Sequence, residues 1–339
     1  MATFGVEEYF VELLFCHWDG TPCGRYLMAK PGLCVSALVL LLSTVAQGHA
    51  ASVNVNSRSI GLVAGDDAWL PRIVMMGREL NNEQGLRVLP IASAGCMQSA
   101  ADVMRLDHVD VSLLTTDCVA YAEQQGILPK AVEKLAYLAR VEALPIVLVT
   151  RKDIKTLTAL AGKRIATGPA DSAAFATGEL VLGGMGLPFK RVAKSGALAV
   201  SALQAGDADA ALLLGLEHLP ASFDAQKFHV LGLTAPATLT DVYSPILLEP
   251  AQLRGLGGDQ SFETISVALT LVTPRKPRSA VQANRLKLFS QIYFQNQMAL
   301  GNAPQLSTNI AGWQRHSASA TALQALEIPT DTLQQGDGP

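Results

Sequence analysis

Apolar and polar positions along the chain follow a repeating order of strand and helix. Short apolar runs such as Leu86–Ile91 and Val109–Leu114 predict buried strands. Segments with apolar residues three and four positions apart, such as Trp69–Asn81 and Met97–Leu106, predict helices that pack on those strands. Strands that alternate with helices in this way form mostly parallel sheets, so the pattern predicts an α/β fold.

The alternation starts again after two neighbouring apolar runs, Leu135–Arg140 and Pro145–Thr150. A long β-branched run, Ile265–Thr273, then follows the second series of strands and helices. We therefore predict two lobes, with Pro145–Thr150 and Ile265–Thr273 as the covalent links between them. The predicted limits are 51–145 together with 264–339 for the first lobe, and 146–263 for the second lobe.

The first 50 residues have the pattern of a targeting segment. Met28-Ala29-Lys30 gives a positive start, Leu33–Ala46 an apolar core, and Gly48 and Ala50 the small residues of a cleavage point. This pattern predicts a secretory signal peptide at 28–50, because the core is shorter than the roughly 20 residues that span a membrane. Residues 1–27 are interpreted as a non-native upstream extension, with translation starting at Met28.

Composition and motifs exclude several classes of protein. The chain has 339 residues, of which 49% are hydrophobic and 16% charged, with a net charge of -3 and no basic stripe, so we expect no nucleic-acid partner. The histidines after residue 50 lack metal-ligand spacing, and neither a phosphate-binding loop nor a nucleophile elbow is present. The sequence therefore predicts a protein that is not an enzyme and uses no cofactor or metal.

Small and hydroxyl-bearing residues follow two of the predicted strands. Ala92–Gly95 comes after one strand, and Thr115-Thr116-Asp117 comes after the next. Open α/β sheets bind ligands at the carboxyl ends of their strands. Asp117 is expected to cap its helix, which leaves Thr115 and Thr116 as donors, while Gly95 either allows close backbone approach or forms a plain turn. With no catalytic base in either loop, the pattern indicates a site that holds a small molecule without transforming it.

A third loop, Gly168–Ser172, opens the helix predicted at Ala173–Met185. Free N–H groups and the helix dipole favour an anion at such a helix start, where Ser172 could donate to a carboxylate. The alternative is that Asp171 or Ser172 only caps the helix.

Three further positions each have a functional and a structural interpretation. Trp69 either covers a ligand or belongs to the core. Arg140 either pairs with a ligand carboxylate or forms a surface ion pair with Glu142. Cys96 and Cys118, the two cysteines after residue 50, either form one disulfide or are two small buried residues.

Several blocks of sequence together resemble the TAXI family of TRAP-transporter solute receptors. They are GLVAGDDAW at 61–69, Val88–Glu123, Leu160–Leu187 with its GKRIATGPADSAA segment, and Leu203–Gly215. The resemblance implies a two-lobed, type II periplasmic-binding-protein-like fold with a hinge of two crossover strands. It further implies a periplasmic protein that captures a small organic anion or amino acid and hands it to TRAP membrane permease subunits. A periplasmic ligand-sensing subunit of a signalling receptor, without a transport role, is the alternative.

The site residues expected from the loops and the resemblance lie in both lobes and in the crossover. They are Trp69, Gly95, Cys96, Thr115, Thr116, Arg140, Asp171, Ser172 and Ala173.

Overall fold

The computed structural model describes residues 58–65, 69–81, 85–219, 223–254, 256, 259, 261–299 and 307–328. The predicted upstream extension and the predicted signal peptide lie outside these residues. Within the described part of the chain, no helix is long and apolar enough to cross a membrane.

The described strands form one ten-stranded sheet in the order β2-β1-β3-β10-β4-β7-β5-β6, with β8 also on β4 and β9 on β10. Their bounds are β1 Ser59–Ala64, β2 Arg87–Ala92, β3 Val111–Thr115, β4 Leu135–Arg151, β5 Arg164–Ala166, β6 Lys190–Val192, β7 Ala210–Leu214, β8 Phe228–Leu231, β9 Tyr243–Leu248 and β10 Phe262–Pro274.

Helices follow most of these strands, as the periodicity predicts. Their bounds are α1 Trp69–Leu80, α2 Cys96–Arg105, α3 Thr116–Gln124, α4 Ala131–Lys134, α5 Ala173–Gly178, α6 Gly196–Ala205, α7 Ala280–Ala299 and α8 Ser317–Ala325. The helix predicted at Ala173–Met185 is shorter than expected, because after Gly178 it continues as one π-helical turn, Glu179–Gly183.

Two groups of parallel strands lie on either side of two long antiparallel strands. β1 pairs in parallel with β2 and β3, and β5 pairs in parallel with β6 and β7. We call the group with β1, β2 and β3 the first lobe, and the group with β5 to β9 the second lobe. The parallel arrangement places the loops after β1, β2 and β3 at the same edge of the first lobe.

The long strands β4 and β10 each run from one lobe into the other. β10 pairs with β3 over Leu269–Val272 and with β9 over Phe262–Val267. β4 likewise pairs with β7 from Ile146 onward, after its first half has paired with β10. The two apolar runs predicted as separate strands are therefore one strand, since its ladder of hydrogen bonds continues from lobe to lobe.

This topology is a two-lobed α/β fold with two crossover strands, as expected for the type II periplasmic-binding-protein-like fold that the family resemblance implies. The limits of the lobes at 145 and 263 stay a prediction.

A buried ion pair fixes the amino end of β3. Asp110, immediately before this strand, accepts hydrogen bonds from Arg285 at 2.8 Å and from Gln282 at 3.0 Å, both on α7. Its second oxygen accepts from the backbone N–H of Gly61 on β1 at 3.2 Å. The pair therefore attaches α7 to the sheet of the first lobe, and it leaves no oxygen of the buried carboxylate without a donor.

Candidate functional site

The loop after β2 meets a loop of the second lobe at the start of α2. The backbone N–H of Cys96 donates to the carbonyl oxygen of Asp171 at 2.8 Å. The carboxylate of Asp171 accepts from the N–H of Met97 at 3.0 Å and from that of Gln98 at 3.3 Å. Two predicted site loops, one in each lobe, are therefore in direct contact.

Backbone geometry allows this contact only with special residues on each side. A Cβ at Gly95 would lie 2.4 Å from the carbonyl oxygen of Asp171, which is too close for any side chain. Asp171 itself has a φ of 74°, in the left-handed region that Asp tolerates better than most residues. Gly95 thus does allow close backbone approach, and the group that approaches is the chain's own Asp171.

The carboxylate of Asp171 takes the place of an anion at the start of α2. Unpaired N–H groups and the helix dipole make such a helix start favourable for negative charge. Partial burial raises the pKa of Asp171, and the hydrogen bonds from Gln98 and Met97 oppose that rise. Asp171 therefore caps α2 of the opposite lobe, and does not cap the helix that directly follows it in sequence.

A disulfide between Cys96 and Cys118 joins the starts of α2 and α3. The two Cα atoms are 6.3 Å apart, and both side chains are buried. The sequence left open whether these cysteines pair, and in the structure they do. The bridge holds the helix start that binds Asp171 close to the polar residues at the start of α3.

The sequence predicts that Asp117 caps α3, and this prediction is wrong. The N-cap position is Thr115, and Asp117 lies inside the first turn of the helix. Its side chain is fully buried. One carboxylate oxygen accepts from the hydroxyl of Thr177 at 2.6 Å and from the hydroxyl of Tyr243 at 3.0 Å. Thr177 lies on α5 and Tyr243 on β9, so both donors belong to the second lobe. Burial raises the pKa of Asp117, and the hydrogen bonds only partly counter it.

Several buried polar atoms around these contacts have no hydrogen-bond partner within the described residues. The other carboxylate oxygen of Asp117 is one of them, and the hydroxyls of Thr115 and Thr116 are two more. Thr115 lies beside the Asp117 carboxyl, but its hydroxyl makes no hydrogen bond of normal geometry. Buried polar groups without a hydrogen-bond partner are costly and rare in folded proteins. Three of them at the carboxyl end of β3 therefore make this strand end a candidate binding site.

Ser172 acts as the N-cap of α5. Its hydroxyl oxygen accepts from the backbone N–H of Phe175 at 3.1 Å, which is the capping interpretation of this residue. Ala173, the first residue of the helix, is buried behind it. The close packing of Gly168 on the Ser172 hydroxyl and the positive φ of Gly168 fix this turn.

Trp69 lies in the hydrophobic core, and Arg140 lies on the crossover strand β4. Trp69 begins α1 and is 3% exposed, which places it in the core, although its indole N–H has no partner among the described residues. Arg140 lies on β4 opposite Thr270, whose other neighbour in the sheet is Leu114 of β3. The carboxylate of Glu142, the alternative partner predicted for Arg140, pairs with Arg72 of α1 at 2.6 Å.

A cavity of about 740 Å³ lies between α3 and the π-helical turn Glu179–Gly183 of the second lobe. Tyr121 lines it and packs edge-on against Phe175, with 5.5 Å between the ring centroids. The guanidinium carbon of Arg191 lies over the Phe175 ring, 4.1 Å from its centroid. Other lining residues include Glu123, Gln124, Glu179, Leu180 and Leu239.

Sequence reasoning missed Thr177 and Tyr243, the two residues that bind Asp117. Thr177 lies within a helix of small residues, and nothing in the pattern distinguishes it. Tyr243 lies on β9, a strand that the sequence analysis did not predict. Among the described residues, no group of three or more His, Cys, Asp or Glu side chains could hold a metal ion.

Comparison of the sequence with models of known families gives no match, and comparison with curated proteins gives none either. Solved structures show distant similarity. The alkanesulfonate-binding protein SsuA from Xanthomonas axonopodis pv. citri, bound to MOPS, has 16% identity and a TM-score of 0.41, over 80% of this chain and 85% of that chain. The periplasmic aliphatic sulphonate binding protein SsuA from Escherichia coli has 15% identity and a TM-score of 0.43, over 81% and 85%. The periplasmic VFT2 domain of BvgS from Bordetella pertussis has 13% identity and a TM-score of 0.43, over 75% and 96%. No residue role is carried over from structures this distant.

Proposed function

We propose that this chain is an exported solute-binding protein of the periplasm. It captures a small organic anion or amino acid between its two lobes and delivers it to a TRAP-type membrane permease. It binds the molecule without transforming it, and the residues that contact it come from the loops at Gly95–Cys96, Thr115–Thr116 and Asp171–Ala173.

One observation carries the binding part of the proposal. The start of α2 holds a carboxylate, that of Asp171, through the N–H groups of Met97 and Gln98. The bound group comes from the opposite lobe, so closing the cleft and binding an anion use the same helix start. A carboxylate ligand would compete with Asp171 for these N–H groups.

The delivery part rests on the resemblance of four sequence blocks to the TAXI family of solute receptors. A protein of this kind closes around its ligand by movement of two lobes on a few crossover residues. β4 and β10, which pair with strands of both lobes, supply such a crossover.

Thermal unfolding with a panel of amino acids, dicarboxylates and keto acids tests the binding part. A molecule that binds the folded chain stabilises it by mass action and so raises its melting temperature. At a ligand concentration of a hundred times the Kd, the free energy of unfolding increases by about 2.7 kcal/mol. We expect at least one small carboxylate to give a concentration-dependent rise. If the whole panel leaves the melting temperature of ligand-free protein unchanged, the proposal is wrong.

Delivery is tested with the ligand found in that panel. Uptake into vesicles that contain a TRAP permease encoded beside this chain should require the binding protein. Binding without uptake, together with an encoded sensor kinase as neighbour, would move the function from transport to sensing.

A further inference from the structure

Asp117 is a buried carboxyl group that the described contacts leave half satisfied. Its side chain is fully buried, and the hydroxyls of Thr177 and Tyr243 both donate to the same oxygen. Within the described residues, no cationic side chain pairs with Asp117. A buried carboxylate without a cation is unfavourable, so a positive group at this point would stabilise the closed protein.

The unpaired atoms beside Asp117 match the donors of an ammonium group. An ammonium carries three N–H donors and no acceptor. Three consecutive residues at the end of β3 each offer an oxygen that has no partner in the described structure: the Thr115 hydroxyl, the Thr116 hydroxyl and the second carboxylate oxygen of Asp117. A carboxylate or a phosphate at the same point would be repelled by the negative charge of Asp117.

Separation of the lobes would give a ligand access to Asp117. The two groups that cover its bound oxygen, Thr177 and Tyr243, belong to the second lobe, whereas Asp117 belongs to the first. If the lobes part, the carboxylate would become exposed to water and would carry its full charge. When they close, it is desolvated, so a ligand that brings a positive charge binds the closed state better and drives closure.

We propose that Asp117 anchors the amine of the ligand, so that the protein selects amine-bearing carboxylates, such as amino acids, over carboxylates of the same skeleton without an amine. This inference rests on the proposed function and narrows its ligand class. Asp117 would pair with the ammonium, while Thr115 and Thr116 accept its remaining N–H groups.

Isothermal titration with matched pairs of ligands tests this assignment. Each pair consists of an amino acid and the keto acid with the same carbon skeleton, for example glutamate and 2-oxoglutarate. We expect the amino acid of at least one pair to bind wild-type protein about tenfold or more tightly than its keto acid. Tenfold corresponds to about 1.4 kcal/mol.

Two variants separate the role of Asp117 from that of net charge. Asp117→Asn removes the charge but keeps the shape, and it should abolish the preference while keto-acid binding persists, which also shows that the variant is folded. Asp107→Asn is the matched control, because Asp107 is exposed and lies before β3, at the other end of the strand. It should keep the full preference.

The outcomes distinguish this inference from the proposed function. Keto acids that bind wild-type protein as tightly as amino acids, or a preference that survives Asp117→Asn, would overturn the inference and leave the solute-binding function in place. If no member of any pair binds but another small carboxylate of the panel does, the inference is wrong and the solute-binding function stands; if nothing in the panel binds, both are wrong.

Discussion

Two aspartates at opposite ends of β3 differ in almost every respect except burial. Asp110 precedes the strand and is 1% exposed, and Asp117 follows it and is 0% exposed. Asp110 has an arginine, an amide and a backbone N–H as donors, all from elements of its own lobe. Asp117 has two hydroxyls from the opposite lobe, no cation among its described contacts, and one oxygen without a partner.

The difference shows how one strand can serve stability at one end and binding at the other. A carboxylate with all its donors supplied by its own lobe is unaffected by movement between lobes. If the lobes part, Asp117 would lose the hydroxyls of Thr177 and Tyr243, and a ligand that replaces these donors would restore the lost contacts. The amino end of β3 therefore stabilises the fold, and the carboxyl end is a candidate ligand-binding site.

Replacing Asp110 should give the largest effect on stability. Asp110→Asn leaves Arg285 as a buried cation without its anion, and breaking such a pair typically costs about 3–5 kcal/mol. Urea unfolding of this variant beside Asp117→Asn measures the contrast. We expect the substitution at Asp117 to cost far less, because no described ion pair is lost with it. Equal losses in the two variants would contradict the distinction between the ends of the strand.

Removing the disulfide should give the next largest effect. The cysteines are separated by 22 positions, and a loop of that size corresponds to about 3 kcal/mol in the chain-entropy model. The double variant Cys96→Ser with Cys118→Ser should therefore melt at a lower temperature than oxidised wild-type protein. Reduced wild-type protein is the control and should melt close to the variant. A variant as stable as the oxidised protein would show that the bridge does not restrain the unfolded chain.

Removing the cap of α5 should give a smaller loss. Ser172→Ala deletes the acceptor for the Phe175 N–H, and lost N-caps cost about 1 kcal/mol. Ser201→Ala is the matched control, because Ser201 is exposed within α6 and, among the described residues, its hydroxyl bonds only the carbonyl of Ala197 one turn earlier. Chemical denaturation should separate the two variants. If Ser172→Ala loses more free energy of ligand binding than free energy of unfolding, Ser172 also contacts the ligand.

The change of stability with pH should be the smallest of these effects, but its direction follows from the pKa shift of Asp117. Burial raises the pKa of Asp117 above its usual value of 3.8, so the folded, ligand-free protein holds this proton more tightly than the unfolded chain. Its contribution to stability is therefore fully present below pH 3.8 and is lost as the pH rises through the folded pKa. Melting curves across this range should show the loss in wild-type protein and not in Asp117→Asn. If the difference in melting temperature between wild-type protein and Asp117→Asn does not change with pH, the expected pH dependence is wrong.

Most of the order of strands and helices could be predicted from the sequence, because hydrophobic periodicity reports which faces of each element are buried, but β9 was not predicted. The positions of the loops at Gly95, Thr115 and Asp171 follow from that order, since parallel strands end at the same edge of a sheet. Leu135–Arg140 and Pro145–Thr150 were predicted as two separate apolar runs, and the structure joins them into β4 because pairing with β10 and β7 continues along the whole strand.

The partners of each site residue could not be predicted. Asp117 has the sequence context of a helix cap, and only contacts 60 and 126 positions further along the chain show that it is buried under the second lobe. Asp171 likewise has the context of a cap for the following helix, whereas it caps α2 of the other lobe. The pairing of Cys96 with Cys118 depends on a distance between two helix starts, which no local pattern contains.

Hydrogen–deuterium exchange with and without a ligand from the panel tests the central claim most directly. That claim is that the carboxyl end of β3 binds ligand and the amino end supports the fold. We predict that ligand slows exchange at 95–98, 115–121 and 171–178, while exchange at 280–290, on the helix that holds Asp110, stays unchanged. Slowed exchange confined to 280–290, or no change at the three other segments with a ligand proven to bind, would contradict the account.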